Sequence, residues 1–423
     1  MKRRVLGLST YPIRRPRHGG QFRVAAIADF YRGFGYDYHY SAVYESPAYG
    51  PADVGPDDIK LDHVDVRWQG LPFMGDVASG TFAAETPAAY AHFCQVVARL
   101  QPDVVQLEHP FLWPLIKRMR SEGKLDGVQI VYSSHNWEGP LKESILKRAG
   151  MAAAKAAALR AGIEAMETEL VRAASLVIAV STADAKIYAG LTQRSKVLVA
   201  SNGTPRPPAE NPTGEAGKAA PAGESLRRKL FGGDKFMFFV GSAYPPNIEG
   251  FRRLVADGGF FFLPPKKAMA VCGGASEGIF FSDEYQRFVI GNSERVQFIS
   301  DIDDEQLWDL KRAAHVFLLP IEFGGGTNLK SAEAIASGKW VITTSVALRG
   351  REAFRDAPGV VVADTPKAFR KAMIQVMNSP PLKLGARDRA ARDKLYWDHV
   401  LLDSGIQAAI EALPYPDGPK KAP

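Results

Sequence analysis

The 423-residue chain reads as an α/β protein built from two doubly wound halves, each a parallel sheet covered by helices. Three observations predict this. Short strand-like runs alternate with longer helical patterns, and the alternation occurs twice. A stretch rich in Pro, Gly, Ala, Glu and Lys, with almost no large apolar residue, separates the two series at residues 204–223. The chain is also too long for one ordinary core, and the usual domain size favours two. A hydrophobic fraction of 46% and a charged fraction of 23% exclude extensive disorder and fibrous repeats.

In the first half, strands are expected at residues 5–8, 37–43, 64–67, 104–107, 129–132, 176–180 and 197–200. Helices are expected at 20–34 and at 87–100, where Ala91, Cys94, Val97 and Ala98 fall at helical spacing. The second half offers strands at 236–240, 268–271, 296–299, 316–319, 340–343 and 360–362, with helices at 304–313 and 329–337 between them. A last helical pattern, 386–413, has no strand after it and is free to pack back across the other half. The expected organisation is therefore a first domain over 1–203, a linker over 204–225, a second domain over 226–385 and a helix with tail over 386–423.

The longest apolar runs, 236–240 and 316–321, are far short of a bilayer span, so a soluble, unprocessed cytoplasmic protein is expected. Cys94 and Cys272 lie outside any metal or redox spacing and read as reduced core thiols. A net charge of +7 favours anionic partners without choosing among nucleotide, phospholipid and nucleic acid. No basic platform interleaved with aromatics is present and the charge is scattered, which argues against nucleic acid. Neither zinc spacing nor a calcium loop surrounds the His, Cys or Asp residues, and no metal or other cofactor is required. Asn202-Gly203-Thr204 fits a glycosylation sequon, which goes unmodified in a chain that is not secreted.

In doubly wound folds ligands bind at the carboxyl ends of the strands, so loops directly after strands are where chemistry is sought. The most informative is the loop at 320–328, where Gly324-Gly325-Gly326 follows a buried strand and opens into a helix. Bare amides and the positive end of the helix dipole converge there on an anion site. Thr327 or Asn328 can cap the helix, Lys330 adds a full positive charge for a diphosphate, and Glu333, on the same side of the helix, can accept from ribose hydroxyls. The plain alternative is a glycine turn with Lys330 and Glu333 paired on a solvated face.

This loop, with its Gly-x-Gly-Thr-x-Leu-Lys-x-x-Glu-Ala pattern, resembles the donor-binding segment of glycosyltransferase family 4. Other stretches agree in order. Val240-Gly241-Ser242-Ala243-Tyr244-Pro245-Pro246-Asn247 is similar to the first strand and turn of the family's second domain, with Asn247 as a donor contact. Residues 298–315, with Asp303-Asp304-Glu305, look like the nucleotide-base loop and its helix. Val177-Ile178-Ala179-Val180-Ser181 and Asn202-Gly203 look like the strand and turn before the hinge. The resemblance implies a GT-B fold, two Rossmann-like domains facing across a cleft. It also implies a retaining enzyme that moves a sugar from a nucleoside-diphosphate donor to a glycan or lipid-linked acceptor in bacterial surface polysaccharide or glycolipid synthesis. The family usually pairs two glutamates across seven intervening residues, and here the partner position to Glu333 is Gly325. The usual basic pair is also missing, since residues 242–247 contain no Arg or Lys.

Three further regions are candidates. His135, in Ser133-Ser134-His135-Asn136-Trp137-Glu138 after a strand, can donate to a sugar hydroxyl or to charge developing on the leaving side. Its place agrees with the family histidine that contacts the donor sugar. Glu138 can orient it or read an acceptor, and Glu108 and His109 end another strand where they can line the acceptor side or simply meet solvent. In the loop after the first strand, Arg14-Arg15-Pro16-Arg17-His18-Gly19-Gly20, the resemblance assigns Gly19 and Gly20 to close approach of the diphosphate, while the arginines meet phosphate, acceptor or water. Residues 141–160 carry Lys142, Lys147, Arg148, Lys155 and Arg160 against Glu143 and can lie on an anionic membrane surface at its inner face, or be an ordinary solvated helix. Two other functions stay open, a sugar-nucleotide epimerase of the same fold and a non-catalytic nucleotide-sugar-binding protein.

Overall fold

The computed structural model describes residues 2–45, 49–208 and 224–416. It divides into two compact units, Met1–Asn202 with Val400–Pro423, and Gly203–His399. The first unit holds β1 (Arg4–Ser9), β2 (Asp37–Glu45), β3 (Ile59–Leu61), β4 (Val104–Leu107), β5 (Gln129–Ser133), β6 (Leu176–Ala179) and β7 (Lys196–Val199). They pair in parallel in the order β3-β2-β1-β4-β5-β6-β7. Both β4 and β6 are buried at every position, as strands covered on both faces must be. One face sends Leu6, Leu8, Val105, Leu107 and Tyr132 into a core shared with Phe93 and Ile116. On the other face the pleat alternates to Gly7, Ser9 and Gln106, and Tyr31, on the helix Gly19–Gly33, reaches the sheet to donate to Gln106 Oε1 at 2.8 Å.

The second unit holds β8 (Met237–Val240), β9 (Met269–Cys272), β10 (Val296–Ile299), β11 (Val316–Leu319), β12 (Trp340–Thr343) and β13 (Val360–Val362). These too are parallel, in the order β10-β9-β8-β11-β12-β13. Alternation along the strands divides two cores. Phe239, Val271, Leu318 and Ile342 enter one, and Phe238, Ala270, Phe317 and Val341 enter the other. Each sheet reverses its strand order once, between β1 and β4 in the first unit and between β8 and β11 in the second. These are the switch points at which such sheets open a crevice for ligands.

Several sequence expectations are corrected. No strand forms at 64–67, because Asp65 Oδ1 accepts from the Arg67 amide at 2.9 Å and the Asp65 carbonyl from Trp68, which closes a turn; β3 lies just before it. In the helix Pro87–Leu100 the buried face is Ala89, Tyr90, Phe93, Val96 and Val97, and of Ala91, Cys94, Val97 and Ala98 only Val97 belongs to it. The pattern at 386–413 is three helices, Ala386–Asp393, Trp397–Asp403 and Ile406–Glu411. A backbone bridge from Thr204 to Tyr396 occupies the first break, and Gly405 with φ +74° marks the second. Arg3, at the edge of β1, donates to the Leu413 carbonyl at 2.6 Å and so ties down the end of the last segment. Within the stretch expected as a linker, residues 209–223 lie outside the described residues, and Glu224–Phe231 is helical.

Candidate functional site

In the second unit, residues 320–328 leave β11 at the switch point and enter the helix Leu329–Ala336. Gly324 and Gly326 hold φ of +132° and +55°, conformations that side chains resist, so the corner is glycine for a steric reason. Asn328, rather than Thr327, caps the helix: its Oδ1 accepts from the Lys330 amide at 2.9 Å. Thr327 is buried, its methyl turned toward Gly350, where a Cβ would stand 2.4 Å from it.

Lys330 does not pair with Glu333 on a solvated face. Its Nζ donates to Asn247 Oδ1 at 2.5 Å and lies 5.8 Å from the Phe239 ring centroid. Burial lowers the Lys330 pKa to about 8, with the Glu333 charge opposing the shift. Asn247 is held in turn, since its Nδ2 donates to the Ser242 carbonyl at 3.0 Å, so the loops after β8 and β11 meet at one ammonium. Glu333 takes Lys311 as its partner at 2.5 Å.

The sequence reading missed Lys311, and it missed Arg349, whose Nη2 lies 3.8 Å from where a Gly324 Cβ would stand. Arg349 arrives on the loop after β12, which is bound to the corner by Thr344 Oγ1 donating to the Ile321 carbonyl and Ser331 Oγ donating to the Ala347 carbonyl at 2.6 Å. Neither residue has a local signal, because each is brought in by a strand or helix distant in the chain. The corner thus gathers turn amides, a helix N-terminus, a half-buried ammonium and a guanidinium, an arrangement suited to a polyanion.

In the first unit the loops after β1, β4 and β5 converge. Gly19 and Gly20 form the first turn of the helix Gly19–Gly33. A Cβ on Gly20 would stand 2.5 Å from the Tyr11 hydroxyl and 3.4 Å from His135 Nδ1, so glycine is required for the helix to approach these groups. Tyr11, which the sequence reading passed over, shares a hydrogen bond of 2.8 Å with His109 Nε2. The His109 and His135 rings are 4.2 Å apart, centroid to centroid. His109 Nδ1 faces Glu138 Oε1 at 3.7 Å, and Asn136 Nδ2 donates to that same oxygen at 3.1 Å.

Burial pushes the His135 pKa well below the usual histidine value, assisted by the His109, Arg23 and His18 charges. Burial also takes His18 down to about 4. His135 is therefore a neutral imidazole, able to exchange hydrogen bonds with hydroxyls without carrying charge. Glu108, expected to line a surface, is instead completely buried on the inner side of His135, where Gln106 donates to it at 2.6 Å. Of the loop arginines, Arg17 forms an ion pair with Asp53 at 2.8 Å and Arg14 donates to the Val54 carbonyl at 3.1 Å.

Residues 141–160 are not one basic face. They belong to two helices, Glu138–Arg148 and Ala153–Ala173, separated at Gly150 with φ +86°. Lys142 points inward to Asp76 at 2.7 Å, while Lys147 and Arg160 share Glu143 at 2.6 and 3.0 Å. Among the described residues no helix is long and apolar enough to cross a membrane, and no group of three His, Cys, Asp or Glu residues is placed to hold a metal ion.

Two family models match the chain in succession. Residues 17–203 match "Glycosyl transferase 4-like domain", and residues 234–379 match "Glycosyl transferases group 1". No curated protein sequence matches significantly. Among solved structures, the chain is similar to sucrose-phosphate synthase from Thermosynechococcus elongatus at 15% identity, covering 97% of this chain and 99% of that one with a TM-score of 0.69. It is similar to Anabaena HepE in complex with UDP, at 13% identity over 98% and 100% of the two chains with a TM-score of 0.60. The UDP-forming alpha,alpha-trehalose-phosphate synthase from Burkholderia xenovorans aligns at 13% identity over 96% and 100%, with a TM-score of 0.58. These likenesses are of fold, and the fold is GT-B, two parallel-sheet α/β domains. With both of its domains matched in order, the chain belongs to the glycosyltransferases that join a 4-like domain to a group 1 domain.

Proposed function

We propose that this glycosyltransferase is a retaining enzyme that uses a nucleoside-diphosphate sugar and transfers the sugar to a hydroxyl of a glycan or lipid-linked acceptor, in assembly of a surface polysaccharide or glycolipid. The observation that carries this is the half-buried Lys330 ammonium, held by Asn247 beside a glycine corner at a helix N-terminus. As the bond between the anomeric carbon and the diphosphate oxygen breaks, negative charge grows on the leaving group, and fixed amides and ammonium stabilise it without reorganising. Retention then follows from attack by the acceptor oxygen on the face the diphosphate leaves, the acceptor's hydroxyl proton passing to the departing diphosphate oxygen, with no protein nucleophile.

His135 and the first turn at Gly20 hold hydroxyls of the transferring sugar in this reading, and His109 with Glu138 serves the acceptor hydroxyl. A uridine nucleotide is the first donor to try, since HepE was captured with UDP and with UDP-glucose. Thermal-shift screening against nucleoside-diphosphate sugars, followed by transfer assays with the stabilising donor, tests the assignment. One donor should raise Tm well above the rest and support transfer that Lys330→Ala sharply reduces. A uniform response across the panel, or undiminished transfer by Lys330→Ala, would refute it.

A further inference from the structure

The first unit contains a set of buried polar atoms that its own fold leaves unpaired. Glu108 Oε2, His135 Nε2, His109 Nδ1 and the Arg23 Nε and Nη2 atoms are sealed from solvent with no hydrogen-bond partner. Folded proteins rarely tolerate so many in one place without a use for them. Two of these atoms face each other, Glu108 Oε2 and His135 Nε2, at 3.7 Å. Glu108 is completely buried and His135 is 8% exposed.

The other Glu108 oxygen already has its role. Tyr31 donates to Gln106 Oε1 at 2.8 Å, which turns the Gln106 amide group to donate to Glu108 Oε1 at 2.6 Å. Oε1 is thereby an acceptor, and a proton on this carboxyl belongs on Oε2, the atom facing the imidazole. On the far side of the ring, His135 Nδ1 is turned to the space that glycine leaves at position 20, with the Tyr11 hydroxyl bordering the same point.

We propose that Glu108 is a positioning residue for His135: carrying its proton on Oε2, it donates to His135 Nε2, so that the imidazole keeps its own proton on Nδ1 and presents it as a hydrogen-bond donor beside Gly20. The ligand atom met there is an oxygen with a lone pair, a hydroxyl of the transferring sugar. An ionised Glu108 would do the reverse, accepting a hydrogen bond from Nε2–H and leaving Nδ1 as an acceptor. Complete burial of the carboxyl, with the imidazole nearly as enclosed, disfavours a charge on either group. Burial raises the Glu108 pKa, against the opposing pull of Gln106, Ser133, Arg23 and His109, and burial together with His109, Arg23 and His18 lowers that of His135. Bringing the two atoms from 3.7 Å to hydrogen-bond distance needs a side-chain shift of about 1 Å.

The proposal rests on the donor-sugar role given to His135 above, and its test separates the two. The full chain is labelled with 15N-histidine and the ring nitrogens are observed without substrate, His135→Gln identifying the residue's signals among the eight histidines. Wild type and Glu108→Gln should both show the Nδ1–H tautomer, because a carboxamide donates to Nε2 as the protonated acid does. Glu108→Leu should lose that preference. With the donor saturating, Glu108→Gln should turn over within about threefold of wild type, and Glu108→Leu at least about tenfold slower with donor KM changed less than about twofold. An Nε2–H tautomer in wild type, or Glu108→Gln losing the tautomer and turnover as Glu108→Leu does, would overturn the proposal. Should Glu108→Leu not fold, the wild-type and Glu108→Gln spectra decide alone. Absence of sugar transfer by wild type would sink the functional reading and leave the tautomer to decide this one.

Discussion

Raising the pH through the Lys330 pKa should release a nucleoside diphosphate, and the structure sets both the window and the slope. Burial lowers this amine to about 8, so the free protein holds a half-protonated Lys330 near that pH. A diphosphate binds the ammonium and not the amine, so binding takes up a proton. With the bound form fully protonated, the dissociation constant should rise about twofold by pH 8 and about tenfold by pH 9, relative to neutral pH. Titration calorimetry with UDP from about pH 7 to about pH 9.5, in two buffers of different ionisation enthalpy, reads both quantities. Proton uptake should climb from near zero toward about one across the range. Lys330→Arg keeps its charge throughout and should flatten the profile. The stability of the unliganded protein should respond in the opposite direction. The folded pKa lies below the ordinary lysine value, so the unfolded chain binds more protons between them, and this residue's contribution to stability rises with pH from about 8 to 10.5. A flat dissociation constant in wild type, or an equal slope in Lys330→Arg, would refute the assignment of the ammonium to the diphosphate.

Gly20→Ala places a methyl 2.5 Å from the Tyr11 hydroxyl and 3.4 Å from His135 Nδ1. Tyr11 cannot retreat freely, since His109 holds its hydroxyl and Tyr40 donates to its carbonyl at 2.6 Å, so kcat/KM should fall at least about tenfold and Tm should fall with it. Unaltered turnover would remove the first helical turn from the site. Glu167→Leu is a test of the scaffold: the buried carboxyl accepts from Tyr132 at 2.5 Å, Tyr188 at 2.8 Å and the Glu138 amide at 3.0 Å. Stranding those donors should cost about 3–5 kcal/mol in urea unfolding; a loss below about 1 kcal/mol would show that the site's rear wall does not depend on it.

The parallel sheets were legible because buried strands are continuous apolar runs, as at β6 and β11, and the loops that follow them could be located from the strands alone. The glycine corner was legible for a related reason, since Gly324 and Gly326 adopt backbone angles that restrict the residue type. Patterns failed where a side chain or a distant segment intervened. Asp65 turned an alternating stretch into a turn, and Thr204 split what read as one long terminal helix. At the site, local spacing paired Lys330 with Glu333, whereas the fold gave Lys330 to Asn247 and Glu333 to Lys311. Glu108 looked like a strand-end surface residue because nothing near it in sequence reveals that Tyr31 and Gln106 enclose it. Such pairings depend on strand order, which local composition does not encode.

The most direct test of the central claim is a matched calorimetric titration of uridine and UDP against wild type and Lys330→Ala. UDP should bind wild type far more tightly than uridine does, and Lys330→Ala should weaken UDP at least about tenfold while leaving uridine within about twofold. Equal affinities of wild type for the nucleoside and the diphosphate, or unchanged UDP binding by Lys330→Ala, would contradict the account.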